Sequence, residues 1–68
     1  SNTKTYTDSY GQIVREERDG ICKDYTYDKQ GNVFTTYSRG AQDVNTVSPK
    51  LVVTLYDKNG RLTDTIQN

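Results

Sequence analysis

The side chains of this sequence that could do chemistry are nine acidic residues and one thiol, Cys22, because the chain contains no histidine. Without an imidazole, neither a Ser-His-Asp nor a Cys-His arrangement can be built, and the Cys22 thiol has no obvious base to activate it. A zinc site of Cys and His ligands is excluded by the same inventory. Cys22 is expected to be buried as a small apolar residue, with an intermolecular disulfide as the alternative.

Paired carboxylates are the remaining candidates for acid–base catalysis. Glu16 and Glu17 are adjacent in the sequence, so on a strand they point to opposite faces. Asp24 and Asp28 flank two tyrosines, but the sequence gives no reason to place them in a shared cleft, which acid–base catalysis would need. We therefore expect a protein that is not an enzyme and that binds no cofactor.

A recurring Asp-x-x-Gly motif could in principle supply calcium ligands, but turn chemistry explains it better. The motif occurs in "YTDSYGQI", "TYDKQGNV" and "LYDKNGRL", and a calcium loop needs a denser set of acidic residues. An Asp in the first position can accept a backbone N–H two residues on, and a Gly in the last position tolerates a positive φ. The motif predicts type I turns closed by a G1 bulge, with Asp8 and Gly11, Asp28 and Gly31, and Asp57 and Gly60 as their first and last residues.

The elements that these turns must connect are strands, because no segment keeps apolar residues at helical spacing over two turns. A two-residue type I′ turn is predicted at Asp19 and Gly20. The sequence predicts one all-β domain over residues 1–68, an antiparallel β-meander of five or six strands built from DxxG hairpins. The predicted strands are Lys4–Thr7, Gln12–Arg18, Ile21–Tyr27, Asn32–Ser38, Lys50–Tyr56 and Arg61–Gln67.

One connection is longer than the hairpin turns. The segment from Arg39 to Pro49 lacks strict alternation, contains Gly40 and ends in the only proline. Connections of this length are longer than the usual median of about 4–6 residues and are often mobile or functional. We expect a loop here, less protected from hydrogen exchange than the strands.

The charge balance and the hydropathy limit the possible partners. Nine basic residues match nine acidic ones, so there is no basic field that would bind nucleic acid. The longest aliphatic run is Leu51 to Val53, far short of the ~20 residues that span a bilayer as a helix. We expect no nucleic-acid partner and a protein that is not embedded in a membrane.

The segments "YTYDKQGNV" and "YDKNGRL" resemble the YD repeat of Rhs-type bacterial polymorphic toxins and teneurin shells. In that family each repeat is a β-hairpin of a long spiralling sheet that encapsulates a toxin, and glycan contact has been proposed for it. The present chain is too short to form a shell, and its first copy has Thr7 in place of the tyrosine. A small secreted β-sheet domain of gut Bacteroidetes is an equally good resemblance. Both resemblances imply a secreted or cell-envelope bacterial protein. The matched residues are Tyr25, Tyr27, Asp28, Gly31, Asn32 and Val33 in one copy and Tyr56, Asp57, Gly60, Arg61 and Leu62 in the other.

A thin sheet of this size leaves apolar side chains to be covered, which points to contacts with other molecules. Alternation along the fourth predicted strand places Val33, Thr35 and Tyr37 on one face. Self-association would cover an exposed face and its edges, so we expect a homo-oligomer that makes protein–protein contacts. Glycan binding by exposed tyrosines is the alternative function. The candidate contact residues for either function are Tyr25, Tyr27, Tyr37, Val53, Leu55, Tyr56 and Leu62.

Overall fold

The computed structural model describes residues 2–40 and 48–67, which form one six-stranded antiparallel sheet. The strands follow one another in space in the order of the chain, and each pairs with the next. The predicted all-β antiparallel meander is confirmed. The strands are β1 (Thr3–Thr7), β2 (Ile13–Arg18), β3 (Ile21–Tyr27), β4 (Val33–Gly40), β5 (Lys50–Tyr56) and β6 (Leu62–Gln67).

The part of the chain that the structure describes contains strands and turns, and it has no helix that could cross a membrane. The third and fifth strands have the predicted bounds, and three others differ by one residue at one end. The fourth strand is longer than predicted. Arg39 and Gly40, which the sequence placed in a loop, continue β4 and pair with Cys22 and Ile21. Residues 41–47 of the predicted mobile loop lie outside the described residues.

Three hairpins of the sheet share one geometry. The β1–β2, β3–β4 and β5–β6 pairs are each closed by an Asp-x-x-Gly turn, and each has a register shift next to the turn. In each shift one strand carries one residue more than its partner. The three additional residues are Val14, Phe34 and Thr63, each six residues after the Asp of its turn. The recurring sequence motif thus corresponds to a recurring hairpin, which has one bulge at the Asp-x-x-Gly turn and a second at the register shift.

The register shift changes which side chains share a face. Thr35 lies opposite Thr26, whereas Val33 lies opposite Tyr27. Directly paired residues share a face of the sheet, and consecutive residues of a regular strand alternate. Val33 therefore lies on the face opposite that of Thr35 and Tyr37, so the prediction from strict alternation was wrong. Alternation fails here because a bulge inserts a residue between the two pairs.

The sheet has almost no interior. Its principal extents are 38 × 28 × 17 Å, and Cys22 is the one large or apolar side chain among the described residues that is fully buried. This confirms the predicted burial of Cys22, which lies between its direct cross-strand partners Glu17 and Arg39. Elsewhere in the described strands the apolar side chains are half-buried or exposed. The fold is a single layer whose two faces must be considered as surfaces.

Candidate functional site

The three Asp-x-x-Gly turns are stabilised by the same set of hydrogen bonds. In the central turn, the Asp28 carboxylate accepts the backbone N–H groups of Gln30 and Asn32, both at 2.9 Å, and Gly31 N–H donates to the Asp28 carbonyl at 3.1 Å. Gly31 has φ of 86°, a left-handed conformation that glycine adopts without a Cβ penalty. The turn residues Asp8 and Gly11, and Asp57 and Gly60, repeat these bonds. These aspartates are thus occupied as backbone acceptors.

Two further observations describe the surroundings of the turn aspartates. Backbone hydrogen bonding from Arg61 is the main cause that lowers the pKa of Asp57, against a smaller opposing effect of burial. In residues 2–40 and 48–67, no group of three or more acidic, Cys or His side chains is placed to hold a metal ion.

The fourth turn, between β2 and β3, has the predicted type I′ geometry. Asp19 and Gly20 have φ of 52° and 78°, and a type I′ turn requires a positive φ at both central residues.

Cross-strand pairing assigns the remaining side chains to two faces. We call them the Cys22 face and the Tyr25 face after the strand β3 residues that lie on them. The Cys22 face carries Tyr6, Arg15, Cys22, Asp24, Tyr37, Arg39, Leu51, Val53, Leu55 and Ile66. The Tyr25 face carries Ile13, Glu16, Ile21, Lys23, Tyr25, Tyr27, Val33, Val52, Tyr56 and Leu62.

A charged cluster occupies the Cys22 face on strands β2 to β4. The Asp24 carboxylate accepts from Arg15 Nε at 2.7 Å and from Arg39 Nη2 at 3.1 Å. Burial raises the pKa of Asp24, but the hydrogen bonds and charges of the two arginines outweigh it and hold the pKa below its usual value. The pKa of Arg15 is raised, chiefly by its hydrogen bond to Asp24. The two arginines share one carboxylate, so the cluster keeps Asp24 ionised and does not hold it in the protonated form that an acid catalyst needs.

Sequence reasoning missed this cluster, although part of the signal was available. A two-residue turn at Asp19 and Gly20 sets Arg18 opposite Ile21, and counting outward from that pair sets Arg15 opposite Asp24. The second arginine could not be found in the same way. Arg39 was assigned to a loop, and only the longer β4 strand brings it opposite Cys22 and beside Asp24.

Two of the tyrosines proposed as contact residues bind within the sheet. Tyr25 Oη donates to the Glu16 carboxylate at 2.5 Å, and Tyr27 Oη donates to the Ile13 carbonyl, also at 2.5 Å. Burial is the main cause that raises the pKa of Tyr25 to about 12, with the Glu16 carboxylate adding to it. Both tyrosines thereby connect the hairpin of β3 and β4 to strand β2.

The other proposed contact residues divide between the two faces. Tyr37, Val53 and Leu55 lie on the Cys22 face, whereas Tyr56 and Leu62 lie on the Tyr25 face. The exposed fractions of Tyr37 and Leu55 are 37% and 38%, and that of Leu62 is 57%. Residues that the sequence analysis did not single out are exposed as well: Tyr10 at 88%, Ile66 at 51% and Phe34 at 40%.

The neighbouring apolar residues of the Cys22 face form one continuous patch. Tyr37 pairs with Leu51, and Val53 pairs with Ile66, while Leu51, Val53 and Leu55 follow one another on the same side of β5. We call these residues the β4–β6 patch: Tyr37, Leu51, Val53, Leu55 and Ile66. It borders the charged cluster, because Tyr37 lies directly opposite Asp24.

Comparison of the chain with protein-family models, with curated proteins and with solved structures finds no match. The function must therefore be argued from the chain's own surface. That surface offers turn aspartates that already accept backbone hydrogen bonds, a cluster in which two arginines pair with Asp24, and an uncovered apolar patch. Of these three features, the apolar patch is the one that binding could stabilise.

Proposed function

We propose that this chain is a non-enzymatic β-sheet module that makes protein–protein contacts through its sheet. The observation that supports the proposal is the single-layered fold, in which Cys22 is the one fully buried large or apolar side chain of the described residues. Apolar side chains of both faces remain partly in water, so each lacks part of the stabilisation of about 1.5–3 kcal/mol that full burial of an exposed side chain gives. A contact that covers one face would supply that stabilisation.

The occupant we propose for the β4–β6 patch is a second copy of the chain. Two such patches can face each other across a two-fold axis, because a symmetric interface uses the same surface on both subunits. Packed sheets lie about 10 Å apart and interdigitate the side chains of their inner faces. The patch has the aliphatic and aromatic composition of such an inner face, and its border with charged residues resembles the polar rim of an interface.

Sedimentation equilibrium from micromolar to millimolar concentration tests this contact. Wild-type protein is expected to self-associate, and Leu55→Asp is expected to shift it to monomer because the new charge would be buried. Leu62→Asp is the matched control, since Leu62 lies on the same hairpin but on the Tyr25 face. It should leave association unchanged. A wild-type protein that remains monomeric, or association that only Leu62→Asp disrupts, would contradict a contact through the β4–β6 patch.

Glycan binding is the second candidate function, and Tyr10 is the observation that favours it. Its side chain is 88% exposed at the tip of the first hairpin, where an aromatic ring could stack on a sugar. A glycan array signal that disappears in Tyr10→Ala but persists in Ser9→Ala would support this function. Absence of any signal at millimolar glycan would exclude it in favour of protein contacts.

The proposal also includes a location outside the cytoplasm of a bacterium, in the cell envelope or as a secreted protein. It depends on the resemblance of the two complete DxxG hairpins to YD repeats. Expression of the gene's full product in a bacterial host, followed by fractionation, tests it. Recovery in the cytoplasmic fraction alone would contradict the location and would leave the proposed contact untouched.

A further inference from the structure

The hairpins of this sheet are joined to one another in a constant register. At the β2–β3 junction, the residue seven after the turn Asp8 pairs with the residue four before Asp28, which are Arg15 and Asp24. At the β4–β5 junction, the residue seven after Asp28 pairs with the residue four before Asp57, which are Thr35 and Val53. The two junctions therefore use the same register, although their connecting segments differ in length.

The junctions also share a side-chain hydrogen bond. At the first, Tyr27 Oη of the following hairpin donates to the Ile13 carbonyl. At the second, Thr54 Oγ1 of the following hairpin donates to the Val33 carbonyl. Ile13 and Val33 both stand five residues after the Asp of their turn. In each case the bulge directs this carbonyl toward the next hairpin, and a hydroxyl from that hairpin binds it.

The third hairpin carries the same features on the outer strand β6. Leu62 stands five residues after Asp57, and Asp64 stands seven after it. Every residue of β6 is exposed. By the geometry of the other two hairpins, the Leu62 carbonyl is directed away from β5. Strand β6 is thus one half of a junction of the kind that the sheet already contains twice.

The complementary half is strand β1, on the opposite edge. Lys4 lies four residues before Asp8, and Thr5 lies three residues before it. Thr54 likewise lies three residues before Asp57. Every residue of β1 is exposed as well. Placing β1 of another copy beside β6 in the constant register sets Lys4 opposite Asp64 and Thr3 opposite Thr65. The Thr5 hydroxyl of that copy then lies beside the Leu62 carbonyl, just as the Thr54 hydroxyl lies beside the Val33 carbonyl.

From this register we propose that copies of the chain associate head to tail, with strand β1 of one copy pairing antiparallel to strand β6 of the next. The Lys4–Asp64 pair takes the position that the Arg15–Asp24 ion pair occupies at the β2–β3 junction, where the charged atoms are 2.7 Å apart. Like edges are disfavoured, since β1 against β1 brings lysines together and β6 against β6 brings aspartates together. Slippage by one residue would exchange the two faces of the added strand.

This inference rests on the proposed function, because it names a route of the protein contacts, but it uses the edges of the sheet instead of a face. A head-to-tail contact does not close on itself as a two-fold dimer does, so it builds a chain of copies or a ring. It also gives both edge strands a neighbouring strand at once.

Charge reversal tests the pairing. Lys4→Asp alone and Asp64→Lys alone are each expected to weaken self-association at least tenfold in sedimentation equilibrium at low salt, because each places like charges opposite one another. An equimolar mixture of the two variants should regain the wild-type affinity, since each edge then meets an opposite charge. Lys58→Asp, a charge reversal in the turn between β5 and β6, is the control that should not respond to mixing.

Disulfide cross-linking provides a second, independent test of the same register. Thr3→Cys and Thr65→Cys proteins, mixed and oxidised, should form the mixed disulfide in preference to either homodimer, while Cys22 stays inert because it is fully buried. Association that survives both charge reversals but is lost in Leu55→Asp would overturn the edge pairing and leave the proposed function standing. Association that follows the charge reversals but ignores Leu55→Asp would support the edge pairing and overturn the contact through the β4–β6 patch.

Discussion

The central hairpin, β3–β4, and the last hairpin, β5–β6, have nearly the same turn sequence and the same turn geometry. Asp28 and Asp57 each accept two backbone N–H groups at 2.9 Å, and Gly31 and Gly60 have φ of 86° and 80°. The strands that leave the turns differ in their surroundings. The central hairpin has a neighbouring strand on each side, whereas the last has one on β5 alone.

This difference in surroundings determines how much each hairpin is coupled to the rest of the sheet. The central hairpin is connected to β2 by the Arg15–Asp24 ion pair and by the Tyr25 and Tyr27 hydroxyls. On β6 every residue is exposed, including Leu62 and Ile66. A turn motif of four residues thus specifies a local conformation, while the stability of the strands depends on what lies beside them.

The largest predicted effect tests the central turn. Asp28→Ala removes the acceptor of two backbone N–H groups and should lower the free energy of unfolding by about 2 kcal/mol, measured by chemical denaturation. Asp28→Asn keeps an acceptor oxygen and should cost clearly less. Asp57→Ala removes the same bonds from the last hairpin and should lower the global denaturation midpoint less than Asp28→Ala. Equal losses for the two alanine variants would contradict the difference in coupling.

The next effect concerns the glycines of the same turns. Gly31→Ala should destabilise the protein by about 1 kcal/mol because alanine disfavours a positive φ. The cost is one of backbone conformation, since a Cβ at Gly31 would meet only the Gln12 side-chain nitrogen, at 3.9 Å. Gly31→Asn, which tolerates this conformation better, is the control. A denaturation midpoint that does not change in Gly31→Ala or Gly60→Ala would count against the bulged turn.

The comparison of hairpins also shows what the sequence could and could not predict. The turns and strands followed from Asp, Gly and alternating apolar residues, because these depend on contacts within a few positions. The face of Val33 did not, because a second bulge next to each turn has no residue signature comparable to Asp-x-x-Gly. The place of Arg39 was missed since its strand is extended by pairing with β3, a non-local effect. The proposed function stays a prediction that the sequence and the fold support.

Acid should remove the contribution of Asp24 to the coupling of the central hairpin. Because its folded-state pKa is lowered, Asp24 contributes stability that is present above its unfolded pKa of about 3.9. That stability is lost as the pH falls through the folded value. Wild type should be more stable than Asp24→Asn by up to about 1 kcal/mol at neutral pH, and the two should converge as the pH falls below the folded pKa of Asp24. A difference that is constant from pH 7 to pH 2 would mean that Asp24 acts by its shape alone.

The smallest effect we predict is at Tyr25, on the opposite face of the same hairpin. Burial and the Glu16 carboxylate raise the pKa of Tyr25 to about 12, so the folded protein keeps this phenol neutral after an unfolded tyrosine, with a pKa of about 10, has ionised. The stability linked to Tyr25 is therefore fully present below about pH 10 and is lost as the pH rises toward the folded value.

Absorbance at the phenolate band should show one of the six tyrosines titrating last, and that last step should be absent in Tyr25→Phe. Tyr56→Phe, in the last hairpin, should leave the step in place. At neutral pH, Tyr25→Phe should cost only about 0.5–1 kcal/mol, because it removes one partly exposed hydrogen bond. If the last titration step persists in Tyr25→Phe, the hydroxyl of Tyr25 does not couple β3 to β2, and the central hairpin would be joined to its neighbour by the charged cluster and Tyr27 instead.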